Sequence, residues 1–118
     1  MSLAVDWIKS AEIQLKRGSL EDAYAGPIVE LLDLCGTSPR KALEVIYEII
    51  SCDPSDETIG YLGAGPLEEL LIYNCEQFID ELIEKSKIDE RLMLCMKSVN
   101  LDDSECTRAK EFYDAVGE

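Results

Sequence analysis

Apolar residues recur at intervals of three and four along almost the whole chain, and this spacing is typical of the buried face of an α-helix. The first series consists of Leu3, Trp7, Ile8, Ala11 and Leu15. Ser2 stands where a helix N-cap belongs, and Gly18 follows as a stop signal. The pattern therefore predicts a first helix between Ser2 and Gly18.

A second helix is predicted to begin near Ser19, with a break at Gly26-Pro27. Proline has no amide hydrogen and its ring crowds the preceding helical turn, so we expect the helix to be interrupted here. The apolar spacing resumes at Ile28 and continues to Cys35, just before Gly36.

The clearest helix start follows, with Ser38 at the N-cap position and Pro39 at the first helical position. This helix is predicted to end at Asp53-Pro54-Ser55, where Ser55 is placed to cap a short helix. Gly63-Ala64-Gly65-Pro66 predicts a second break, a tight elbow before the next helix. Further helical series cover residues 78–83, 88–95 and 103–116.

The alternation typical of β-strands is absent, so we expect an all-α fold. It would be a single domain over residues 1–118, a compact array of six to seven short helices in antiparallel hairpins. The pattern around Leu43 and Ile46 recurs weakly 36 positions later at Ile79 and Leu82. That period suits a HEAT-like repeat, but such solenoids normally need at least three copies, so a compact α–α arrangement is equally open.

Charge distinguishes this chain from an ordinary helical domain. It carries 25 acidic and 11 basic residues, a formal net charge of −14. The region between Lys41 and Lys85 has no basic residue, and its eleven acids are Glu44, Glu48, Asp53, Asp56, Glu57, Glu68, Glu69, Glu76, Asp80, Glu81 and Glu84. Nucleic acids and anionic membranes need cationic side chains, so this surface disfavours both and attracts basic proteins.

The five cysteines are widely separated, without a C-x-x-C pair, and the chain has no histidine. An odd number of cysteines without a secretory signal is typical of reduced thiols in a cytoplasmic protein. We therefore expect free cysteines that are mostly buried, no metal site, no cofactor and a cytoplasmic location. No stretch is long and apolar enough to predict a membrane span.

The sequence also lacks the patterns of common catalytic sites. Without histidine there is no Cys–His or Ser–His pair. Adjacent carboxylates such as Glu68 and Glu69 point about 100° apart on a helix, so they do not form a catalytic dyad. The sequence therefore predicts a binding protein rather than an enzyme.

Residues 60–71 form the most distinctive local pattern, Gly-Tyr-Leu-Gly-Ala-Gly-Pro-Leu-Glu-Glu-Leu-Leu. This pattern resembles the G-Y-L-x-A-G-P-L-E-D/E-L-L core of a bacterial family of unknown function, whose members are small, acidic and helical. Asp6-Trp7-Ile8 and Glu76-Gln77-Phe78-Ile79 are similar as well, and the likeness extends over roughly residues 5–95. The resemblance implies an all-helical fold and carries no activity with it.

Together these features favour a protein that binds and inhibits a basic partner. The most concrete form is an immunity protein that neutralises a cognate bacterial toxin of the nuclease type. Acidic residues would steer the partner, and a few tyrosines among them would anchor it. The candidate partner-binding residues are Glu44, Tyr47, Glu48, Asp56, Glu57, Tyr61, Glu68, Glu69, Tyr73, Glu76 and Asp80. The predicted elbow would present the acids on its two sides together.

Two alternatives remain open. A helical-repeat adaptor or assembly subunit would use its charge only for solubility, and it would show an exposed apolar groove or form a homo-oligomer. A DNA-mimic regulator would need carboxylates spaced like phosphates along an elongated surface. The sequence leaves the oligomeric state open.

Overall fold

Seven α-helices and one π-helical segment make up the protein in a computed structural model, which describes residues 2–17, 22–102 and 106–117. The elements are α1 (Leu3–Arg17), α2 (Asp22–Thr37), α3 (Pro39–Ser51), α4 (Asp56–Leu62), the π-helical segment Gly63–Leu67, α5 (Glu68–Ser86), α6 (Glu90–Met96) and α7 (Ala109–Val116). Because α4, the π-helical segment and α5 are continuous, they form six separate helical rods. No strand occurs within these ranges, which confirms the all-α fold.

The predicted N-caps of α1 and α4 are confirmed. Ser2 Oγ accepts a hydrogen bond from the Val5 amide at 3.3 Å, and Ser55 Oγ accepts one from the Thr58 amide at 3.2 Å. Ser38 precedes α3 as predicted, but its hydroxyl makes no capping bond within the described residues. The proline that follows it marks this helix start, because the first turn does not use its missing amide hydrogen.

The break predicted at Gly26-Pro27 is wrong. Helix α2 is continuous, with Pro27 inside it and Gly36 in its last turn. An internal proline costs a helix about 3 kcal/mol. Burial of apolar side chains offsets this cost, since Leu31 and Cys35 on the same helix are fully buried. Packing of α2 against α1, α3 and α5 therefore outweighs the local signal.

The elbow predicted at Gly63–Gly65 is also wrong, because the chain stays helical through Pro66. The helix widens here into a single π-helical turn. Gly63 has φ −68° and ψ −46°, so it does not need a left-handed conformation. Glycine is needed at position 63 for lack of space, because a Cβ there would lie 2.0 Å from the carbonyl oxygen of Cys95. The glycine allows close packing of this segment against α6.

Helix α5 bends at Asn74, whose φ of −137° and ψ of 31° are not helical. The side-chain Nδ2 of Asn74 donates to the carbonyl of Leu70 and to that of Cys35, each at 3.1 Å. The first bond satisfies a carbonyl within the bent helix, and the second ties α5 to α2.

A disulfide bond joins Cys75, directly after the bend, to Cys106, with the two Cα atoms 5.8 Å apart. The expectation of reduced thiols is therefore wrong for this pair, whereas Cys35, Cys52 and Cys95 are free. The pair is 31 residues apart in sequence, and only the fold brings it within bonding range. The predicted start of the last helix at Asp103 lies outside the described residues.

The core is a single cluster that includes residues from Ala4 to Val116. Trp7, Phe78 and Phe112 are its largest fully buried side chains. The molecule measures 38 × 27 × 25 Å, with a radius of gyration of 13.5 Å. This is the radius expected of a compact domain of this length. The HEAT-like repeat stays a prediction.

Candidate protein-binding surface

Arginines from distant parts of the chain neutralise several of the acids predicted to bind a partner. Arg108 contacts both carboxylate oxygens of Asp80, at 2.6 and 3.2 Å. Arg91 binds Asp56 at 2.7 Å, and it also donates to the carbonyl oxygen of Pro54. The carboxylates of both pairs are exposed to solvent, which screens the attraction, so these pairs contribute little to stability. They nevertheless reduce the charge that Asp80 and Asp56 present to a partner.

Two further candidates, Glu68 and Glu76, bind to parts of the chain that follow α6. Glu68 Oε1 accepts a hydrogen bond from the Asn100 amide at 2.7 Å. Glu76 Oε1 accepts one from the Thr107 hydroxyl at 2.6 Å. Both residues hold connecting segments against α5, so a substitution at either position changes internal contacts as well as surface charge.

Four of the candidate acids make no ion pair and no side-chain hydrogen bond within the described residues: Glu44, Glu48, Glu57 and Glu69. The whole sequence contains many more acidic residues than its basic residues can pair with. With 25 acids and 11 bases, one-to-one pairing of every base would still leave 14 acids without a counter-charge (25 − 11). Folding therefore cannot remove the anionic surface.

The three candidate tyrosines have different environments. Tyr47 is half-buried, its hydroxyl donates to Glu81 at 2.8 Å, and the Lys85 ammonium lies 4.6 Å from its ring centroid. Burial, and then the bond to Glu81, raises the pKa of Tyr47. Tyr61 packs edge-on against Trp7 with ring centroids 5.6 Å apart. Of the three candidate tyrosines, only Tyr73 is exposed, with 68% of its surface accessible to solvent.

The predicted residues lie in three places. Glu69 and Tyr73 precede the bend of α5 at Asn74, and Glu76 and Asp80 follow it; Glu69 is half-buried, and the other three residues are exposed. We call these four residues the α5 stripe. The other exposed candidates are Glu44 and Glu48 on α3, and Asp56 and Glu57 at the start of α4. The structure does not join these acids to the α5 stripe through any described contact.

An apolar groove lies between α2 and the α4–π-helical segment, with a volume of about 210 Å³. Its lining residues are Ile28, Leu32, Tyr61, Ala64, Gly65 and Pro66. Of these, sequence reasoning identified only Tyr61 as a site residue. The sequence of α2 indicates a second apolar surface, because Ile28, Val29 and Leu32 are apolar but do not belong to the face that buries Leu31 and Cys35.

Two larger and more polar grooves also lie on the surface. One, of about 380 Å³, is lined by Tyr47, Lys85 and Arg91 among others, and another, of about 350 Å³, surrounds Tyr73 and the disulfide. The described residues contain no group of three or more His, Cys, Asp or Glu side chains arranged to hold a metal ion. None of their helices has the length and apolar character needed to cross a membrane.

The fold and surface define an acidic, all-α domain with one exposed aromatic side chain in a stripe of carboxylates. A family model described as "Family of unknown function (DUF6869)" matches residues 17–108, well over half of the chain, so the protein belongs to this family. Membership in an uncharacterised family was predicted, and residues 60–71 lie inside the match; the bacterial origin and the core pattern stay predictions. The comparisons with curated proteins and with solved structures found no match.

Proposed function

We propose that this protein binds a basic protein partner and inhibits it, most concretely as an immunity protein that neutralises a nuclease toxin. One observation carries the proposal. Tyr73 is 68% exposed and stands between Glu69 and Glu76 on the α5 stripe, in a chain with a net charge of −14. An exposed aromatic ring among carboxylates combines an anchor with a steering field.

Such a surface would inhibit by competition. A nuclease needs a cationic surface to hold phosphate, and an acidic protein that covers this surface excludes the nucleic acid. Long-range attraction would make association fast, while the buried ring would slow dissociation. In this proposal the protein is a binder rather than an enzyme. It acts in the cytoplasm, although the Cys75–Cys106 bond is of a kind that oxidising compartments favour.

The test begins with the genes that flank the gene for this chain, and the partner in the assay is a purified basic nuclease domain encoded there; flanking genes without such a domain would count against the proposal. Cleavage of a fluorescent oligonucleotide is measured with increasing amounts of the protein, and association rates are measured by stopped flow. We expect inhibition at one-to-one stoichiometry. Association should slow by about tenfold or more between about 0.05 and 0.3 M salt, because salt screens steering between exposed charges.

Variants of the α5 stripe sharpen this test. Tyr73→Ala should weaken binding about tenfold or more, mainly through faster dissociation. Glu69→Lys, at an acid that makes no ion pair within the described residues, should slow association severalfold. The matched control is Glu12→Lys, which makes the same charge change at an exposed acid of α1. Equal effects of the two variants, or no inhibition by the wild-type protein, would contradict the proposal.

The apolar groove favours a second candidate, a helical adaptor or assembly subunit. Its lining of Ile28, Leu32 and Tyr61 is suited to another protein surface whatever the surrounding charge. This candidate predicts association that is insensitive to salt and occurs without a basic partner. Sedimentation of the purified protein at low and high salt separates the two functions.

A further inference from the structure

The groove between α2 and the α4–π-helical segment is too small for a typical ligand. Its volume of about 210 Å³ lies below the roughly 300–1,000 Å³ of small-molecule sites. Its lining is almost entirely aliphatic and aromatic. The groove therefore suits one or two apolar side chains presented by another protein rather than a cofactor.

Neither of the two elements that line the groove contains a basic residue. Helix α2 contains no lysine or arginine, and its Asp33 is exposed next to the lining residue Leu32. The opposite wall lies within the region between Lys41 and Lys85 that has no basic residue. Glu69 lies about one turn after the lining residue Pro66. Burial is the main cause of the raised pKa of Cys35 on α2, and the negative charge of Glu69 raises it further.

The geometry points to docking of an amphipathic basic helix in this groove. Its apolar residues would contact Ile28, Leu32 and Tyr61, and its lysines or arginines would face Asp33 and Glu69. Glu69 also begins the α5 stripe, and it is the residue of the stripe nearest in sequence to the groove lining. This inference rests on the proposed function, because it names an amphipathic basic helix as the part of the basic partner that contacts the groove.

Gly65 provides a precise way to fill the groove. A Cβ added at Gly65 would meet no atom within 4 Å, although the residue lines the groove. Gly65→Leu should therefore fill the groove without disturbing the core. Gly26→Leu is the matched control, because Gly26 is equally free of neighbours and does not line the groove. Ala64→Leu, at an exposed lining residue, provides an independent second variant.

The probe is a fluorescein-labelled helical peptide of leucine, alanine and lysine, with leucines at i, i+3, i+4 and i+7. A peptide of the same composition with scattered leucines is the control probe. We expect anisotropy titrations to show about tenfold tighter binding of the amphipathic peptide, and a loss of about tenfold in Gly65→Leu and Ala64→Leu. Gly26→Leu should stay within about twofold of wild type. Asp33→Lys should weaken binding more than Asp114→Lys, the same change on α7.

The outcomes separate this inference from the proposed function. Wild-type affinity in both groove variants would overturn the inference, while the Tyr73 and Glu69 tests could still support inhibition. A loss of peptide binding in these variants without inhibition of the nuclease would support the groove and sink the inhibitory function. If Gly65→Leu instead abolishes self-association and leaves peptide binding unchanged, the occupant is a second copy of this chain, and the inference is wrong.

Discussion

Gly63 and the carbonyl oxygen of Cys95 are in such close contact that no other residue fits at position 63. A Cβ placed there would lie 2.0 Å from that oxygen and 3.0 Å from the carbonyl carbon. Backbone atoms of α6 cannot move away without displacing the buried side chains of that helix, which include Leu92 and Met96. The contact fixes the distance between α6 and the middle of the longest helical rod.

The first prediction compares two glycines of the π-helical segment. Gly63→Ala should lower the free energy of unfolding by at least about 2 kcal/mol, because overpacking forces the backbone to shift. Gly65→Ala should leave stability unchanged or raise it by up to about 1 kcal/mol, since its Cβ meets no atom within 4 Å. Urea unfolding of both variants measures the difference. Equal stability of the two variants would contradict the packing described between this segment and α6.

The second prediction concerns the disulfide between Cys75 and Cys106. A bond that closes a loop with a separation of 31 residues is expected to stabilise the folded state by about 3–4 kcal/mol. Cys106→Ser should lose this amount, and reduced wild-type protein should match the variant. Cys52→Ser is the control, because Cys52 is free and exposed. Titration of the unreduced, unfolded wild-type protein should find three thiols; five would show that the bond does not form.

The third prediction concerns the bend in α5. Asn74→Ala removes both bonds of Nδ2 and should cost about 1–3 kcal/mol, because the carbonyl of Cys35 loses its partner in a partly buried place. Asn74→Asp should cost more, since a carboxylate oxygen would then face two carbonyl oxygens. Gln77→Ala, at an exposed neighbour, serves as the control in thermal unfolding. If Asn74→Asp leaves the thermal stability unchanged, the bend does not depend on these bonds.

The fourth prediction follows from the charges around Arg108. Its hydrogen bonds lower the pKa of Asp80 and that of Glu111. A carboxyl whose pKa is lower when folded stabilises the protein above its usual pKa, and this contribution disappears as the pH falls through the folded value. Arg108→Gln should therefore reduce the loss of stability on acidification below about pH 4.5, and it should raise both pKa values in an NMR titration.

Lys110→Gln makes the same charge change two residues away and is the control for Arg108→Gln. It should leave the pKa values of Asp80 and Glu111 lower than usual. If both variants shift these pKa values equally, the general field of the molecule, rather than the Arg108 contacts, lowers them.

Local chemistry was sufficient to predict the starts of α1, α3 and α4. Ser2, Ser55 and Pro39 act at short range, so their effect can be read directly from the sequence. The predicted breaks at Pro27 and Gly63 failed for a different reason. Proline and glycine both disfavour the interior of a helix, and here contacts with helices that are distant in sequence outweigh this preference. Tertiary packing is not visible in a window of a few residues.

The acidic surface was predictable in its charge, whereas its layout was not. The acidic excess follows from composition, whereas the exposure of Tyr73 is visible only in the folded structure. The partners of Asp56 and Asp80 are not visible in the sequence either, because Arg91 and Arg108 are 35 and 28 residues away. The same limit applies to Tyr47, whose bond to Glu81 joins α3 to α5. Long-range pairs of this kind decide which acids stay without a counter-charge at the surface.

The bridge between Cys75 and Cys106 encloses the turn between α5 and α6, where Ile88 is 90% exposed and Lys87 is exposed beside it. A protease that cuts after Lys87 would divide the backbone but not the molecule, since the two pieces remain covalently linked through sulfur. Trypsin-nicked protein should therefore migrate as one band until a reductant separates it into two. The chain can lose a peptide bond at this exposed turn and stay intact, provided that its surroundings are oxidising.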